Sequence, residues 1–158
     1  MAVKTTKVAN RRQVRYDSLQ DVLRDAEQLA AGKVHTLGNK TYGQILRHLA
    51  IAMNMAIDGS PLRVSWPMRM MARLFKKKIL SAPMDPGFNL SAEGESLLWP
   101  PGDPGVAQGL EELRQAIHRL ETETKREPSP FLGTLTHEEW NQLHRHHAEL
   151  HMSFVVPA

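Results

Sequence analysis

Apolar side chains recur at intervals of three and four residues in four long segments, which is the period of an amphipathic helix. These segments span residues 18–32, 41–59, 103–125 and 137–154. Each begins with residues that are typical of helix N-termini: Ser18, Thr41, Asp103-Pro104 and Thr136. The pattern therefore predicts four long helices.

A shorter amphipathic segment, from Pro67 to Leu80, lies between the second and third of these helices. Its basic residues gather on one face and its methionines and other apolar residues on the opposite face. From Ser81 to Gly102 the helical period disappears, and four prolines interrupt the chain. Neither an internal repeat nor an alternating run of strand length is visible. We therefore expect an all-α fold: a four-helix bundle with one additional short amphipathic helix and a long Pro-rich loop.

A chain of 158 residues is long enough for one well-filled core. Residues 1–15 contain five basic residues and no apolar run, which predicts a flexible basic N-terminal arm. Residues 16–158 are then expected to form a single helical-bundle domain.

Composition narrows the class of protein. There is no cysteine, which excludes disulfides, cysteine-zinc sites and thiol nucleophiles and fits a reducing compartment. The N-terminus lacks the apolar run of a signal peptide, and no stretch is long enough for a membrane span. A net charge of +3 is too small to indicate nucleic-acid binding. We therefore expect a cytoplasmic protein that does not bind nucleic acid and has no membrane-spanning segment.

Eight histidines are unusual in a chain of this length, and four of them lie between His144 and His151. At about 100° per residue, three of these four border or enter the apolar face of the last helix: His144, His147 and His151. His147 and His151 are four residues apart, which brings their Cβ atoms within about 5–6 Å. His144 and His147 are three apart and nearly as well placed, so spacing alone leaves both pairs open.

His48 lies on the apolar face of the second helix, and we expect it to point into the bundle. Neutral imidazoles are good ligands for zinc, and three of them leave a coordination position open, as in catalytic sites. A single histidine in such a place is more often a hydrogen-bonded core residue. Two helices that both present inward histidines are harder to explain in that way, because each buried ring needs a partner.

The segments Gly-Gln-Ile-Leu-Arg-His48-Leu and His147-Ala-Glu-Leu-His151 resemble the DinB/YfiT-like superfamily of metalloenzymes. The likeness is greatest to the branch named domain-of-unknown-function family 1569 and covers about residues 11–154. The resemblance implies a four-helix bundle in which His48, His147 and His151 bind a divalent ion, zinc or nickel. Relatives include transferases and isomerases whose metal binds a low-molecular-weight thiol. Many relatives continue with polar residues after the last ligand, whereas Met152, Ser153 and Phe154 follow here.

The leading hypothesis is a metal-dependent enzyme, either a thiol-dependent transferase or a hydrolase, that acts on a small molecule. No residue is assigned as catalytic. His144 is a candidate for a residue that contacts the metal ligands, or for an alternative ligand. One alternative is a non-catalytic binding or interaction module that a metal stabilises. Another is an adaptor that meets anionic membrane surfaces through residues 67–80, whose methionines equally suit a pocket wall or a homodimer contact.

Overall fold

Seven α-helices and two three-residue strands form most of the regular structure in the computed structural model, which describes residues 2–158. A single 3₁₀ turn precedes them at Thr5–Lys7. The helices are α1 (Leu19–Ala30), α2 (Tyr42–Asp58), α3 (Trp66–Leu74), α4 (Lys76–Ser81), α5 (Ala92–Leu98), α6 (Val106–Thr122) and α7 (His137–Met152). The strands are β1 (Val34–Thr36) and β2 (Val155–Pro157), which pair antiparallel. The chain is mostly helical, which broadly fits the expected all-α class.

Three of the four long helices begin at capping boxes that the sequence predicts. The pairs are Ser18 with Asp21, Thr41 with Gln44, and Thr136 with Glu139. In each pair the two side chains and the two backbone N–H groups satisfy one another, which stabilises the first turn. The starts of α1, α2 and α7 are therefore local properties of the sequence.

The start of α6 differs from the prediction. The helix begins at Val106, after Gly105 in a positive-φ conformation. Asp103 does not cap it, because its Oδ1 accepts a hydrogen bond of 2.8 Å from the N–H of Gly105 in the turn before the helix. The prediction of a cap at Asp103-Pro104 was wrong because the same Asp-Pro-Gly signal also forms a turn.

Helices α2 and α6 approach closely where two glycines meet. A Cβ atom on Gly109 would lie only 2.7 Å from the carbonyl oxygen of Gly43. Helices α1 and α7 complete the core, and each of the two contacts α6 or α2. The largest fully buried side chains are Val22, Leu46, Leu49, Met53, Ile57, Leu113, Ile117, Met152 and Val155. This packing fixes α2 relative to α7.

The region between α2 and α6 is more regular than we expected. Residues 81–102 contain α5, whose first turn is capped by Ser91. A helix of seven residues is too short to show a periodic apolar stripe, so the sequence pattern missed it. The expected single helix after Pro67 is divided at Phe75 into α3 and α4. Likewise, strands of three residues are too short for a visible alternation.

Helix α4 is attached to the beginning of α7 by its first residue. The Nζ of Lys76 lies 3.1 Å from Glu139 Oε1 and donates to the Thr134 carbonyl oxygen over 3.3 Å. Most side chains of the preceding helix, α3, are exposed, including Trp66, Met70 and Leu74. Helices α3 and α4 therefore form a flap over the side of the molecule on which α2 and α7 face each other.

The N-terminal segment runs along α1 and the end of α7. Arg12 forms a bidentate ion pair with Asp25 and donates to the Val155 carbonyl oxygen, and both Val14 and Tyr16 are buried. The division into an arm at 1–15 and a domain at 16–158 stays a prediction, and Met1 lies outside the described residues. Among residues 2–158 no helix has both the length and the apolar character needed to cross a membrane.

Candidate metal centre

Three histidines from two helices meet at one point in the structure. The Nε2 of His48 on α2 lies 3.0 Å from the Nε2 of His147 and 3.1 Å from the Nε2 of His151, both on α7. One candidate ligand atom from each residue falls within 4.8 Å of the other two. The three side chains could therefore hold a single metal ion.

The geometry follows from the helical period. His147 and His151 are separated by four residues of α7, so their rings project from one face, with centroids 4.7 Å apart. His48 projects from the inner face of α2, where only 3% of its surface is exposed. The contact between α2 and α7 brings the two faces together.

The protonation of His48 is determined by the end of α5. Its Nδ1 lies 3.0 Å from the carbonyl oxygen of Leu98. Because a carbonyl oxygen can only accept, Nδ1 carries the proton and donates it. In the neutral ring Nε2 then has a free lone pair, and it is this atom that faces His147 and His151. A backbone carbonyl is a common partner for the second nitrogen of a metal-binding histidine.

The residue after Leu98 packs against the same ring. The indole of Trp99 is stacked on His48, and the Nζ of Lys40 lies 4.7 Å from the centroid of the Trp99 ring. His48 is therefore held at its edge by a hydrogen bond and on its face by an aromatic ring. The sequence pattern did not predict this contact, because it joins residues 51 positions apart in the chain.

Burial keeps these histidines neutral. It lowers the pKa of His48 to about 4 and that of His147 to about 3. The pKa of His151 is also lowered, first by burial and then by its histidine neighbours. Neutral imidazole is the form that binds metal, and protons compete weakly with a metal at a site with such pKa values.

The two nitrogen distances from His48 fit a shared ion. With metal–nitrogen bonds of about 2.0–2.1 Å, two nitrogens on one ion lie about 2.9 Å apart at a right angle and about 3.3 Å apart at the tetrahedral angle. The distances of 3.0 and 3.1 Å from His48 fall between these values. Both zinc and nickel suit an all-imidazole set.

His144 lies beside this cluster but does not belong to it. Its ring is stacked on Trp140, with centroids 5.4 Å apart, and it is buried. Burial lowers its pKa to about 3, so the ring is neutral. Its Nε2 and the Nε1 of Trp140 are buried without a hydrogen-bond partner. The spacing of residues in the sequence could not show that the His144 and Trp140 nitrogens on α7 are buried in this way.

The other histidines lie away from the site. His35 and His118 are exposed, and His137 bonds to the Thr124 carbonyl oxygen. His146 bonds to Glu149, which is buried although the helical period placed it on the outer face. Its burial comes from the N-terminal segment, since the N–H of Tyr16 donates to the same carboxylate.

A cavity of about 970 Å³ adjoins the three histidines. Its walls come from α2, α7, the flap formed by α3 and α4, and the segment that leads into α5. Met68 and Met71 line it, whereas Met70 is on the other face of α3. Several of the flap side chains are about half exposed, so the cavity opens to solvent on that side. A volume of this size is enough for a small organic molecule.

Fold and site together define a mostly helical protein in which three clustered histidines could hold a metal ion beside an open cavity. Residues 8–158 match the family described as "Protein of unknown function (DUF1569)". The chain belongs to that family. Comparison with curated proteins and with solved structures gave no match.

Proposed function

We propose that this protein is a metal-dependent enzyme of the DinB-like type that acts on a small molecule. The observation that carries the proposal is the meeting of three neutral imidazoles at the wall of an open cavity. A purely structural ion needs neither the cavity nor an incomplete ligand set, because structural zinc sites are usually closed by four protein ligands.

The arrangement of the helices supports the DinB-like assignment. The long helices α1, α2, α6 and α7 form a connected set of contacts, as a four-helix bundle requires. One histidine comes from the second of these helices and an H-x-x-x-H pair from the last. That is the ligand pattern the superfamily resemblance implies.

In this proposal His48, His147 and His151 hold a divalent ion, either zinc or nickel. Such an ion would supply Lewis acidity, which polarises a carbonyl group or lowers the pKa of a water or thiol that it binds. This chemistry suits both a transferase that uses a low-molecular-weight thiol and a hydrolase.

The surrounding residues have separate roles. The Leu98 carbonyl oxygen and the Trp99 ring hold His48 in the orientation and tautomer that binding needs. A ligand that fills the cavity between the apolar walls would exclude water from that side of the site. His144 lines the cavity and is not part of the three-histidine cluster, and we propose it as a positioning residue rather than a ligand.

Elemental analysis tests the metal. The protein should be purified without a histidine tag or nickel resin, and we expect about one zinc or nickel ion per chain. His48→Ala, His147→Ala and His151→Ala should each lose most of it, while His118→Ala, a change at an exposed histidine, should keep it. Full occupancy in His48→Ala would remove that residue from the site.

A second measurement separates an enzyme from a module that a metal only stabilises. Cobalt(II) substituted at the site reports its ligands by visible absorption. We expect acetohydroxamate to change this spectrum, because it needs exchangeable coordination positions. An unchanged spectrum at saturating acetohydroxamate would favour the non-catalytic, metal-stabilised module.

A further inference from the structure

The cavity next to the three histidines is mostly apolar. Side chains from several separate parts of the chain form its walls, among them six large apolar ones: Met55, Met71, Phe75, Ile79, Phe131 and Leu143. Large apolar side chains exposed to a shared space favour an occupant that removes them from water. Such walls select a ligand with an apolar body.

The charged groups in the walls leave no net charge for a ligand to neutralise. Apart from the histidines, the cavity-lining residues include two basic and two acidic side chains: Lys40, Lys78, Asp85 and Glu95. Lys40 and Glu95 pair with each other over 2.9 Å. A polyanionic ligand would lose hydration here without meeting an excess of basic side chains.

One polar point lies within this apolar surrounding. His144 and Trp140 both line the cavity, and the buried His144 Nε2 and Trp140 Nε1 have no hydrogen-bond partner among residues 2–158. Buried nitrogens of this kind are nearly always hydrogen-bonded in folded proteins, so two together need an explanation. Neither nitrogen is exposed in this structure, so a polar group on a ligand would supply the missing bonds by displacing the side chains that cover the two atoms.

We propose that the cavity binds a neutral, largely apolar small molecule that directs one donor group to the three histidines and one hydrogen-bonding group to His144 and Trp140. The first of these contacts rests on the proposed metal function. The apolar body and the contact with His144 do not, because they depend on the walls alone. The ligand differs in charge and polarity from a hydrophilic low-molecular-weight thiol.

Two lysine variants of α3 test the apolar body in the metal-free protein. Met71 lines the cavity and Met70 does not, yet their side chains are exposed to almost the same degree, 55% and 53%. The probe is N-phenyl-1-naphthylamine, which fluoresces when it leaves water. We expect Met71→Lys to weaken its binding at least fivefold and Met70→Lys to change it less than twofold. Equal effects, or no saturable binding to the wild type, would overturn the proposal.

His144→Phe tests the polar point, because phenylalanine keeps the ring stacked on Trp140 and removes both nitrogens. The measurement compares 4-propylphenol with propylbenzene as competitors of the bound dye. A hydrogen bond to a buried nitrogen is worth about threefold to tenfold in affinity. The ratio of the 4-propylphenol affinity to the propylbenzene affinity should be larger in the wild type than in the variant by that factor. An equal preference in the two proteins would exclude His144 from the contact.

Binding to the zinc-loaded protein tests the metal contact and the apolar body of the ligand together. Straight-chain hydroxamates from two to eight carbons share one metal-binding group and differ in their apolar tail. We expect affinity to rise about threefold for each methylene group, and the rise to be smaller in Met71→Lys. A flat series would overturn the proposed ligand class while leaving the metal site intact. Dye binding in a protein that takes up no metal would instead support the cavity and refute the metal function.

Discussion

The indole of Trp99 lies flat on the imidazole of His48, with ring centroids 3.8 Å apart and ring planes within 3° of each other. The two residues are 51 positions apart in the chain. The short helix α5 ends at Leu98, so the residue whose carbonyl oxygen accepts the hydrogen bond from His48 and the residue that covers its ring are neighbours. The end of α5 therefore holds His48 in place within the candidate metal centre.

Trp99→Leu removes the stacked ring and should weaken zinc binding about tenfold, since contacts outside the ligand set typically contribute that much. Trp99→Phe keeps a flat ring and should lose much less. Competition with a chromophoric chelator measures both affinities. Trp66→Leu is the control, because Trp66 on α3 is 66% exposed and is not a cavity-lining residue. Equal affinities of Trp99→Leu and wild type would contradict an orienting role.

His144→Phe should raise the free energy of unfolding of the metal-free protein by about 1 kcal/mol. The variant removes a buried nitrogen that has no partner, and such a group costs stability. Urea unfolding followed by circular dichroism gives the value, and metal content should stay unchanged. A loss of stability together with a loss of metal would make His144 a ligand after all.

The stability of the metal-free protein should fall as the pH drops from 6.5 towards 4. Burial lowers the pKa of His48, His144, His147 and His151 below the value of 6.5 that they have when exposed. In this range the unfolded chain binds more protons than the folded one, so acid favours unfolding, and stability is fully present above pH 6.5. Each histidine contributes at most about 1.4 kcal/mol per pH unit.

Urea unfolding at pH 7, 6 and 5 measures this slope and stays above the range in which carboxylates titrate. His144→Phe removes one of the four groups and should show a shallower dependence. A free energy of unfolding that is constant from pH 7 to pH 5 would mean that the histidines are not buried in their neutral form.

Gly109→Ala should destabilise the fold by about 1–3 kcal/mol, although alanine favours helices more than glycine does. The added Cβ would lie 2.7 Å from the Gly43 carbonyl oxygen, and a backbone atom cannot move aside. The resulting shift of α2 should also weaken metal binding through His48. Gly32→Ala is the matched control: its Cβ would meet nothing closer than 3.9 Å. If both variants melt at the same temperature, the close contact between α2 and α6 is not as described.

Several features of this protein were readable from the sequence because they depend on residues close together in the chain. A capping box links positions three residues apart, so the starts of α1, α2 and α7 could be predicted. The 3.6-residue period likewise placed His48, His147 and His151 on inward faces. Spacing along the helix could not decide whether His144 or His151 is the partner of His147, because both spacings suit a shared metal ion.

Only the tertiary structure decided which of these histidines meet and what surrounds them. The choice between them depends on where α2 crosses α7, and that crossing comes from the packing of the long helices against one another. The Leu98 carbonyl oxygen, the Trp99 ring, the cavity and the unpartnered nitrogens of His144 and Trp140 are likewise products of contacts between distant segments. Local sequence determines helices and their faces through short-range hydrogen bonds and side-chain period, whereas a site between helices exists only once burial of the whole core has fixed their positions.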